Sequence, residues 1–131
     1  MSAVFVDTSA ILALMVGSDR AHREAVEILE KLRSRRANLV TTSYVLVETY
    51  ALLDRRLGRD AVRDFRASFA PLIRVIWVDG AIHERRLDRL EKSSHTLSLD
   101  DAVSFEAIRQ HRILEAFAFD RHFEREGLAV R

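Results

Sequence analysis

Short apolar runs rich in β-branched and aromatic residues recur along the chain, and longer stretches with helical periodicity separate them. Such runs, bounded by turn or capping residues, are typical of buried strands. The expected strands are 3–6, 39–42, 73–78 and 116–119, with a weaker one at 128–130. Strands that alternate with helices favour a parallel sheet covered on both faces. The sequence therefore predicts an α/β fold, a three-layer α/β/α domain with a mainly parallel central sheet of four to five strands.

Apolar residues at helical spacing predict the segments between the strands. Ala25, Ile28 and Leu32 form such a stripe, while Gly58 and Pro71 are expected to end the helices that precede them. The expected helices are 11–16, 21–36, 43–57, 59–70, 81–91 and 98–110.

Length and composition limit the kinds of protein this chain can be. A chain of 131 residues with 48% hydrophobic and 31% charged residues is expected to form one domain, 1–131, with its own core. The absence of cysteine excludes disulfide frameworks, thiolate zinc sites and cysteine nucleophiles. A net charge of +1 provides no overall field that attracts nucleic acid, so any binding of nucleic acid would depend on local patches.

The apolar N-terminal run is similar to a signal peptide in hydrophobicity only. It lacks a basic segment in front and carries Asp7 in its middle, so we expect a buried strand and a helix there. No stretch approaches the roughly 18 uninterrupted apolar residues that a membrane span requires. These features predict a cytoplasmic protein without a membrane partner.

Two aspartates follow apolar strands. Asp7 comes after 3–6 and Asp120 after 116–119, so both are expected at the edge of the sheet where ligands of open α/β folds bind. Aspartate is also a preferred helix N-cap. For either residue alone, capping explains the position as well as catalysis does.

Glu48 is harder to explain as a structural residue. Its neighbours three and four positions away on the expected helix include Tyr44, Val45 and Leu52, which predicts that Glu48 stands in the middle of the apolar face. A buried carboxylate is costly unless it is paired or bound to a metal. We favour a metal ligand, and a buried salt bridge to an arginine remains the alternative.

Asp100 and Asp101 lie at the start of the helix 98–110. Ser98 and Asp101 have the spacing of a capping box, which is the structural alternative to a catalytic role. Taken together with the other acids, they suggest a site for Mg²⁺ or Mn²⁺, because such cations prefer carboxylate oxygens and keep positions open for water and phosphate.

Four segments in this order resemble the PIN-domain nucleases, and most closely the VapC-type toxins of toxin–antitoxin systems. The segments are Val4–Ala10, Val47–Thr49, Leu97–Phe105 and Phe117–Phe123, and the resemblance extends over essentially the whole chain. It implies a PIN-like fold and a Mg²⁺- or Mn²⁺-dependent endoribonuclease that cleaves RNA.

The resemblance also implies roles for single residues. Asp7, Glu48, Asp101 and Asp120 match the acidic quartet of the family, as catalytic residues and metal ligands. Thr8 and Ser9 match its hydroxyl positions, where a hydroxyl can orient metal-bound water. Asp100 departs from the usual pattern, because the family often has a neutral residue there, and it is a further candidate for metal binding. Family members usually form homodimers and are neutralised by a small antitoxin protein.

Weaker signals leave other interpretations open. The arginines 55, 56 and 59, and 85, 86 and 89, could line a path for the RNA backbone, although for any single one we favour a solvated helix face. We expect His122 to be a structural or surface residue. A PIN nuclease of RNA processing, without an antitoxin, would carry the same motifs.

Two unrelated α/β classes fit less well. A phosphatase-like fold would need a second acid two residues after Asp7, where this chain has Ser9. A receiver-like phospho-acceptor domain would need paired acids and a lysine after a strand, and neither Lys31 nor Lys92 follows one.

Overall fold

A computed structural model describes residues 2–92 and 98–130 of the chain. Residues 93–97, which include the first residue of the expected motif 97–105, and the side chain of Asp100 lie outside the described part. In chain order the elements are β1 Ala3–Val6, α1 Thr8–Met15, α2 His22–Ser34, β2 Asn38–Thr42, α3 Ser43–Leu57, α4 Arg59–Ser68, a 3₁₀ turn Ala70–Leu72, β3 Ile73–Ile76, α5 Gly80–Lys92, α6 Leu99–Gln110, β4 Glu115–Phe117 and α7 Arg121–Arg125.

The four strands form one sheet in the order β3-β2-β1-β4, and all three pairings are parallel. In the register, Phe5 of β1 lies beside Val40 of β2 on one side and Ala116 of β4 on the other. Parallel pairing requires a crossover between strands, and helices provide it here. The carboxyl ends of all four strands therefore meet at one edge.

Alternating residues of β1 divide the core into two layers. Val4 and Val6 pack in one cluster with buried residues of α1 and α2, while Phe5 belongs to a second cluster with Ile108 of α6. Because successive side chains of a strand point to opposite faces, helices cover both sides of the sheet. The predicted three-layer α/β/α architecture is confirmed.

The chain uses glycine and proline to end α3 and α4. Gly58 takes a positive φ of 94°, which glycine adopts without steric cost, and its N–H bonds back to the carbonyls of Leu53 and Asp54. Pro71 lies in the 3₁₀ turn after α4.

Three strands differ from their expected bounds. β2 and β4 each begin one residue early, at Asn38 and Glu115, and β3 and β4 each end two residues early. β4 ends at Phe117, because the next residues leave the sheet and the N–H of Phe119 bonds to the hydroxyl of Ser9. β3 ends before Trp77, whose side chain is exposed. The weak segment 128–130 contributes one parallel bridge, Ala116 to Ala129, beside β4. Within the described residues the sheet therefore has four strands, the lower of the two expected numbers.

In the described part of the chain, no helix combines the length and the apolar character that crossing a bilayer would require.

Candidate metal centre

The strand order reverses between β1 and β4, and this reversal creates a crevice at the carboxyl edge of the sheet. From β1 the chain continues to β2 on one side, while β4 pairs on the other side. Ligands of open parallel sheets bind at such a switch point. Asp7 follows β1 directly, and Asp120 directly precedes α7, three residues after the end of β4.

Asp7 is the N-cap of α1, and its side chain is buried. Its Oδ2 accepts hydrogen bonds from the N–H of Ser9 at 3.1 Å and from the Ser9 hydroxyl at 2.7 Å. Its own N–H donates to the carbonyl of Phe117 in β4. The carboxylate therefore has a fixed position between the first and last strands, and capping and site formation use the same side chain.

Ser9 connects the two sides of the crevice. Its hydroxyl donates to Asp7 and accepts the N–H of Phe119 at 2.9 Å. The segment that leads from β4 to Asp120 is thus tied to the start of α1. The contacts of Ser9 place its hydroxyl beside Asp7, as its expected supporting role requires.

Thr8 is oriented differently. Its buried hydroxyl donates to the carbonyl of Val45 at 3.3 Å and lies 3.0 Å from the hydroxyl of Thr49, both in α3. The side chain is engaged in the contact between α1 and α3, where the helix that carries Glu48 is held against α1. This position gives Thr8 a structural role in the packing of α1 on α3.

Glu48 is half-buried, next to the fully buried Thr49. The apolar face of α3 consists of Val45, Leu46 and Leu53, so Glu48 lies at the margin of that face rather than in its middle. Its charge is close enough to Asp7 to raise the pKa of that carboxyl. The structure therefore places Glu48 toward Asp7, from a neighbouring helix.

Asp101 occupies the first turn of α6. Its N–H donates to the hydroxyl of Ser98, the N-cap, at 3.1 Å. This is the hydrogen bond expected from the capping-box spacing, and it holds the helix start that presents the Asp101 carboxylate. The side chain of Asp101 is only 18% exposed.

Asp120 and His122, both in the C-terminal segment, lie close to Asp101. Asp120 is the N-cap of α7, and its Oδ1 accepts the N–H of His122 at 2.8 Å. The ring Nδ1 of His122 lies 2.8 Å from this oxygen and 3.7 Å from Oδ2 of Asp101. The first contact lacks hydrogen-bond geometry, so this buried Nδ1 has no hydrogen-bond partner among the described residues.

The electrostatics reflect the gathering of acids. Burial raises the pKa of Asp7, the two hydrogen bonds from Ser9 lower it, and the charges of Glu48 and Asp120 raise it further. Burial also raises the pKa of Asp101 to about 6, with contributions from the charges of Asp7 and Asp120. Carboxylates that repel one another in this way are stabilised by a cation between them.

The donor set fits a divalent metal ion. One ligand atom each from Asp101, Asp120 and His122 lies within 4.8 Å of the others. The charge of Asp7 acts on Asp101, and the charges of Asp120 and Glu48 act on Asp7. Carboxylate oxygens suit Mg²⁺ and Mn²⁺, and an imidazole nitrogen without a hydrogen-bond partner is an available ligand. Nearby, the buried hydroxyl of Ser104 also has no hydrogen-bond partner within the described residues.

His122 is the residue whose position the sequence does not reveal. The next residue, Phe123, is fully buried, yet the imidazole of His122 lies against two of the acids. The one signal in the sequence is the spacing of two residues between Asp120 and His122, which lets the ring turn back toward Asp120, the N-cap of α7.

Among the arginines considered for an RNA path, Arg55, Arg56 and Arg59 are exposed, and Arg59 pairs with Asp54 at the end of α3.

Comparison with known proteins gives consistent results. The family model for the PIN domain matches residues 4–127. Two curated proteins of Mycobacterium tuberculosis, from strains CDC 1551 / Oshkosh and ATCC 25618 / H37Rv, are each named 23S rRNA-specific endonuclease VapC20. Each is 33% identical over 126 residues, which cover 95% of this chain and 94% of the relative. The crystal structure of M. tuberculosis VapC20, described as a sarcin–ricin loop cleaving toxin, matches with a TM-score of 0.79 and 31% identity over 95% of both chains.

Proposed function

The chain belongs to the PIN-domain family, and from this premise we propose that it is a divalent-metal-dependent endoribonuclease, the toxin of a toxin–antitoxin pair. The observation that carries the proposal is the grouping of Asp7, Asp101 and Asp120 at the switch point of the sheet, with Glu48 close enough to raise the pKa of Asp7. As a single domain, 1–131, the chain would contain the complete site.

Asp7, Glu48, Asp101 and Asp120 are the proposed ligands and catalytic residues, with His122 and Asp100 as further candidates. PIN nucleases use divalent metals, and we propose Mg²⁺ or Mn²⁺ here. A cation held by these carboxylates would supply the charge that orients an attacking water and offsets the negative charge on the phosphate and the leaving oxygen.

The other residues of the site keep the carboxylates in place. Ser9 holds Asp7 through two hydrogen bonds and fixes the approach to Asp120 through Phe119. Thr8 holds α3, and thereby Glu48, through Val45 and Thr49. Side chains fixed in this way need little rearrangement when substrate binds, which favours rapid cleavage.

The names of the relatives suggest the first substrate to test. Because VapC20 of M. tuberculosis is named a 23S rRNA-specific endonuclease and its crystal structure is described as that of a sarcin–ricin loop cleaving toxin, we propose the sarcin–ricin loop of 23S rRNA. The toxin role also implies a small antitoxin protein, a homodimer and action in the cytoplasm.

A PIN nuclease of RNA processing, without an antitoxin, is the alternative function. Inducible expression of the chain alone distinguishes the two. A toxin arrests growth, and the arrest disappears in Asp7→Asn. Undiminished growth at full expression of folded, cleavage-active protein would support the processing role.

The decisive test of the nuclease proposal is cleavage of total cellular RNA by the purified protein. With Mg²⁺ or Mn²⁺ we expect cuts at a few sites, including 23S rRNA, and none with chelator or with Asp7→Asn. Folded, partner-free protein that cuts no RNA with either metal would contradict the proposal.

A further inference from the structure

A cavity of about 300 Å³ lies between α5 and α6, beside the metal centre. Its volume is at the lower end of ligand pockets, which span roughly 300–1,000 Å³. It therefore has room for a group of small-molecule size. The lining residues are Arg86, Arg89, Leu90, Lys92, Ala102, Phe105 and Arg109.

A buried arginine forms one wall of this cavity. Arg86 is only 7% exposed, and burial lowers the pKa of its guanidinium. Its Nη2 lies 3.3 Å from Oε2 of Glu106, a buried oxygen that has no hydrogen bond within the described part of the chain. A buried guanidinium is expensive to desolvate, and the ion pair with Glu106 offsets part of that cost. Arg86 thus contributes a fixed positive charge to the wall of the cavity.

Positive charge exceeds negative charge around the cavity. Glu106 neutralises one charge at most, and it is shared between Arg86 and Arg109, the latter at 3.8 Å. Arg89 and Lys92 extend from α5 as exposed cations on the same lining. The surplus positive charge matches an anionic group of a ligand.

The remaining wall is apolar and includes an aromatic ring. Leu90, Ala102 and Phe105 line it, and the ring of Phe105 packs on that of Phe123 with centroids 4.9 Å apart. This packing fixes the ring of Phe105 while part of the side chain remains accessible. A fixed aromatic face next to guanidinium groups is the surface on which nucleobases stack in single-stranded RNA.

Two helices, α6 and α7, contribute residues both to the metal centre and to the surroundings of the cavity. Ala102 follows Asp101 directly on α6, and Phe123 follows His122 directly on α7. A nucleic acid strand whose phosphate lies at the acids would therefore place a neighbouring nucleotide near this cavity. An acidic peptide could also match the positive charges, but an acidic side chain would not stack on the aromatic ring of Phe105 as a base does.

We propose that the cavity between α5 and α6 binds one nucleotide of the RNA substrate next to the cleaved bond. The base lies against Phe105, and Arg89, Lys92 and Arg109 bind the adjoining phosphates. The proposal rests on the nuclease function, and it adds a specificity-determining site outside the acidic group.

RNA binding without cleavage tests the charged part of the site. The Asp7→Asn protein is titrated, with chelator, against a labelled sarcin–ricin loop RNA hairpin, and binding is followed by fluorescence anisotropy. Arg89→Gln combined with Lys92→Gln should raise Kd about tenfold and lower the salt slope by about 0.7 for each phosphate that is no longer bound. Arg66→Gln, an exposed residue of α4 outside the lining, is the matched control and should leave Kd within about twofold.

A base-deletion series tests the aromatic part. Hairpins with one abasic nucleotide at successive positions should show one position, next to the cleaved bond, where Kd rises about tenfold. This rise should largely disappear in Phe105→Leu, because the base then has no ring to stack on. A thermal melt of each variant separates a defect in binding from a defect in folding.

The outcomes distinguish the cavity from the nuclease function. If the wild-type chain cleaves no RNA but the double substitution still weakens RNA binding, the nuclease function is overturned and the cavity stands as an RNA site. RNA binding equal in wild type and double variant overturns the cavity proposal while cleavage stands. A double variant that binds RNA normally but no longer binds a Glu-rich peptide would assign the cavity to a protein partner and also overturn it.

Discussion

At the scale of single residues, hydrogen bonding and burial have opposite effects on the charged form of the Asp7 carboxylate. This carboxylate accepts two hydrogen bonds from Ser9, which favour the charged form, and it is buried beside other acids, which disfavours that form. Asp101 has a similar conflict, and its pKa rises to about 6. A site whose acids repel one another in the absence of a cation gains most from binding one.

The first residue-scale prediction concerns Glu48. Glu48→Gln keeps the shape of the side chain and removes its charge, so cleavage should fall at least about a hundredfold if the carboxylate belongs to the metal site. The thermal midpoint should change little, because the residue is only half-buried. Asp54→Asn on the same helix, whose carboxylate pairs with the exposed Arg59, is the control and should retain cleavage. Full activity of Glu48→Gln would remove this residue from the site.

A second residue-scale prediction compares the adjacent aspartates. Asp101→Asn should reduce cleavage much more than Asp100→Asn, because Asp101 interacts with Asp7, Asp120 and His122. Initial rates with saturating Mn²⁺ on the same RNA give the comparison. The opposite order would assign the third acidic position of the family pattern to Asp100.

At the scale of elements, each acid is positioned by the end of a helix or by a contact between helices. Asp7 and Asp120 are N-caps of α1 and α7, and Asp101 lies in the first turn of α6. Helix starts also favour negative charge through the helix dipole. The capping and catalytic interpretations of these residues are therefore compatible, and the same geometry serves both.

The cap of α6 provides an element-scale prediction. Ser98→Ala removes the acceptor for the N–H of Asp101 and should lower the free energy of unfolding by about 1 kcal/mol. The same change should weaken Mn²⁺ binding, because the first turn that carries Asp101 loses its anchor. Ser98→Thr retains the hydroxyl and should restore both quantities in thermal melts and metal titrations. Normal metal affinity in folded Ser98→Ala would show that the cap does not position Asp101.

Much of the architecture could be predicted from local patterns. The apolar run 3–6 and the helix 43–57 with its glycine stop have the expected bounds. The end of β4 could not be predicted, because Ala118 and Phe119 are as apolar as the strand, and a tertiary bond from Phe119 to Ser9 draws them away. Periodicity also could not show that Glu48 lies at a margin, or that Arg86 is buried while Arg85 is exposed.

The sequence was sufficient to identify the acidic residues of the candidate site, but it predicted only part of their spatial arrangement. Asp7 and Asp120 stand directly after apolar runs, and local patterns are sufficient to show this. The approach of His122 to Asp101 depends on how α7 packs against α6, and no spacing in the sequence encodes a contact between segments about twenty residues apart.

At the scale of the whole molecule, the acidic group links stability to pH and metal. The folded chain holds the proton of Asp101 more tightly than the unfolded chain, since the pKa rises from 3.8 to about 6. This contribution to stability is therefore complete below pH 4 and is lost as the pH rises through about 6. Without metal, the carboxylate costs up to about 3 kcal/mol at neutral pH.

Asp101→Asn should remove this cost. In chelator at pH 7.5 the variant should melt above the wild type, by up to about 10 °C. The difference should shrink toward zero below pH 4, where the wild-type carboxyl is protonated. Mn²⁺ should raise the midpoint of the wild type and have a smaller effect on the variant. Parallel melts across pH check this, and a variant that melts lower at neutral pH would contradict it.

The most direct test of the central claim is anomalous diffraction from crystals of the protein soaked in Mn²⁺. The account predicts a peak at the switch point, with oxygens of Asp7, Asp101 and Asp120 at about 2.1 Å and Glu48 bound directly or through water. The peak should be absent from crystals of Asp7→Asn. A wild-type crystal whose manganese binds elsewhere, with these carboxylates turned away from one another, would contradict a single metal centre built from the four acids.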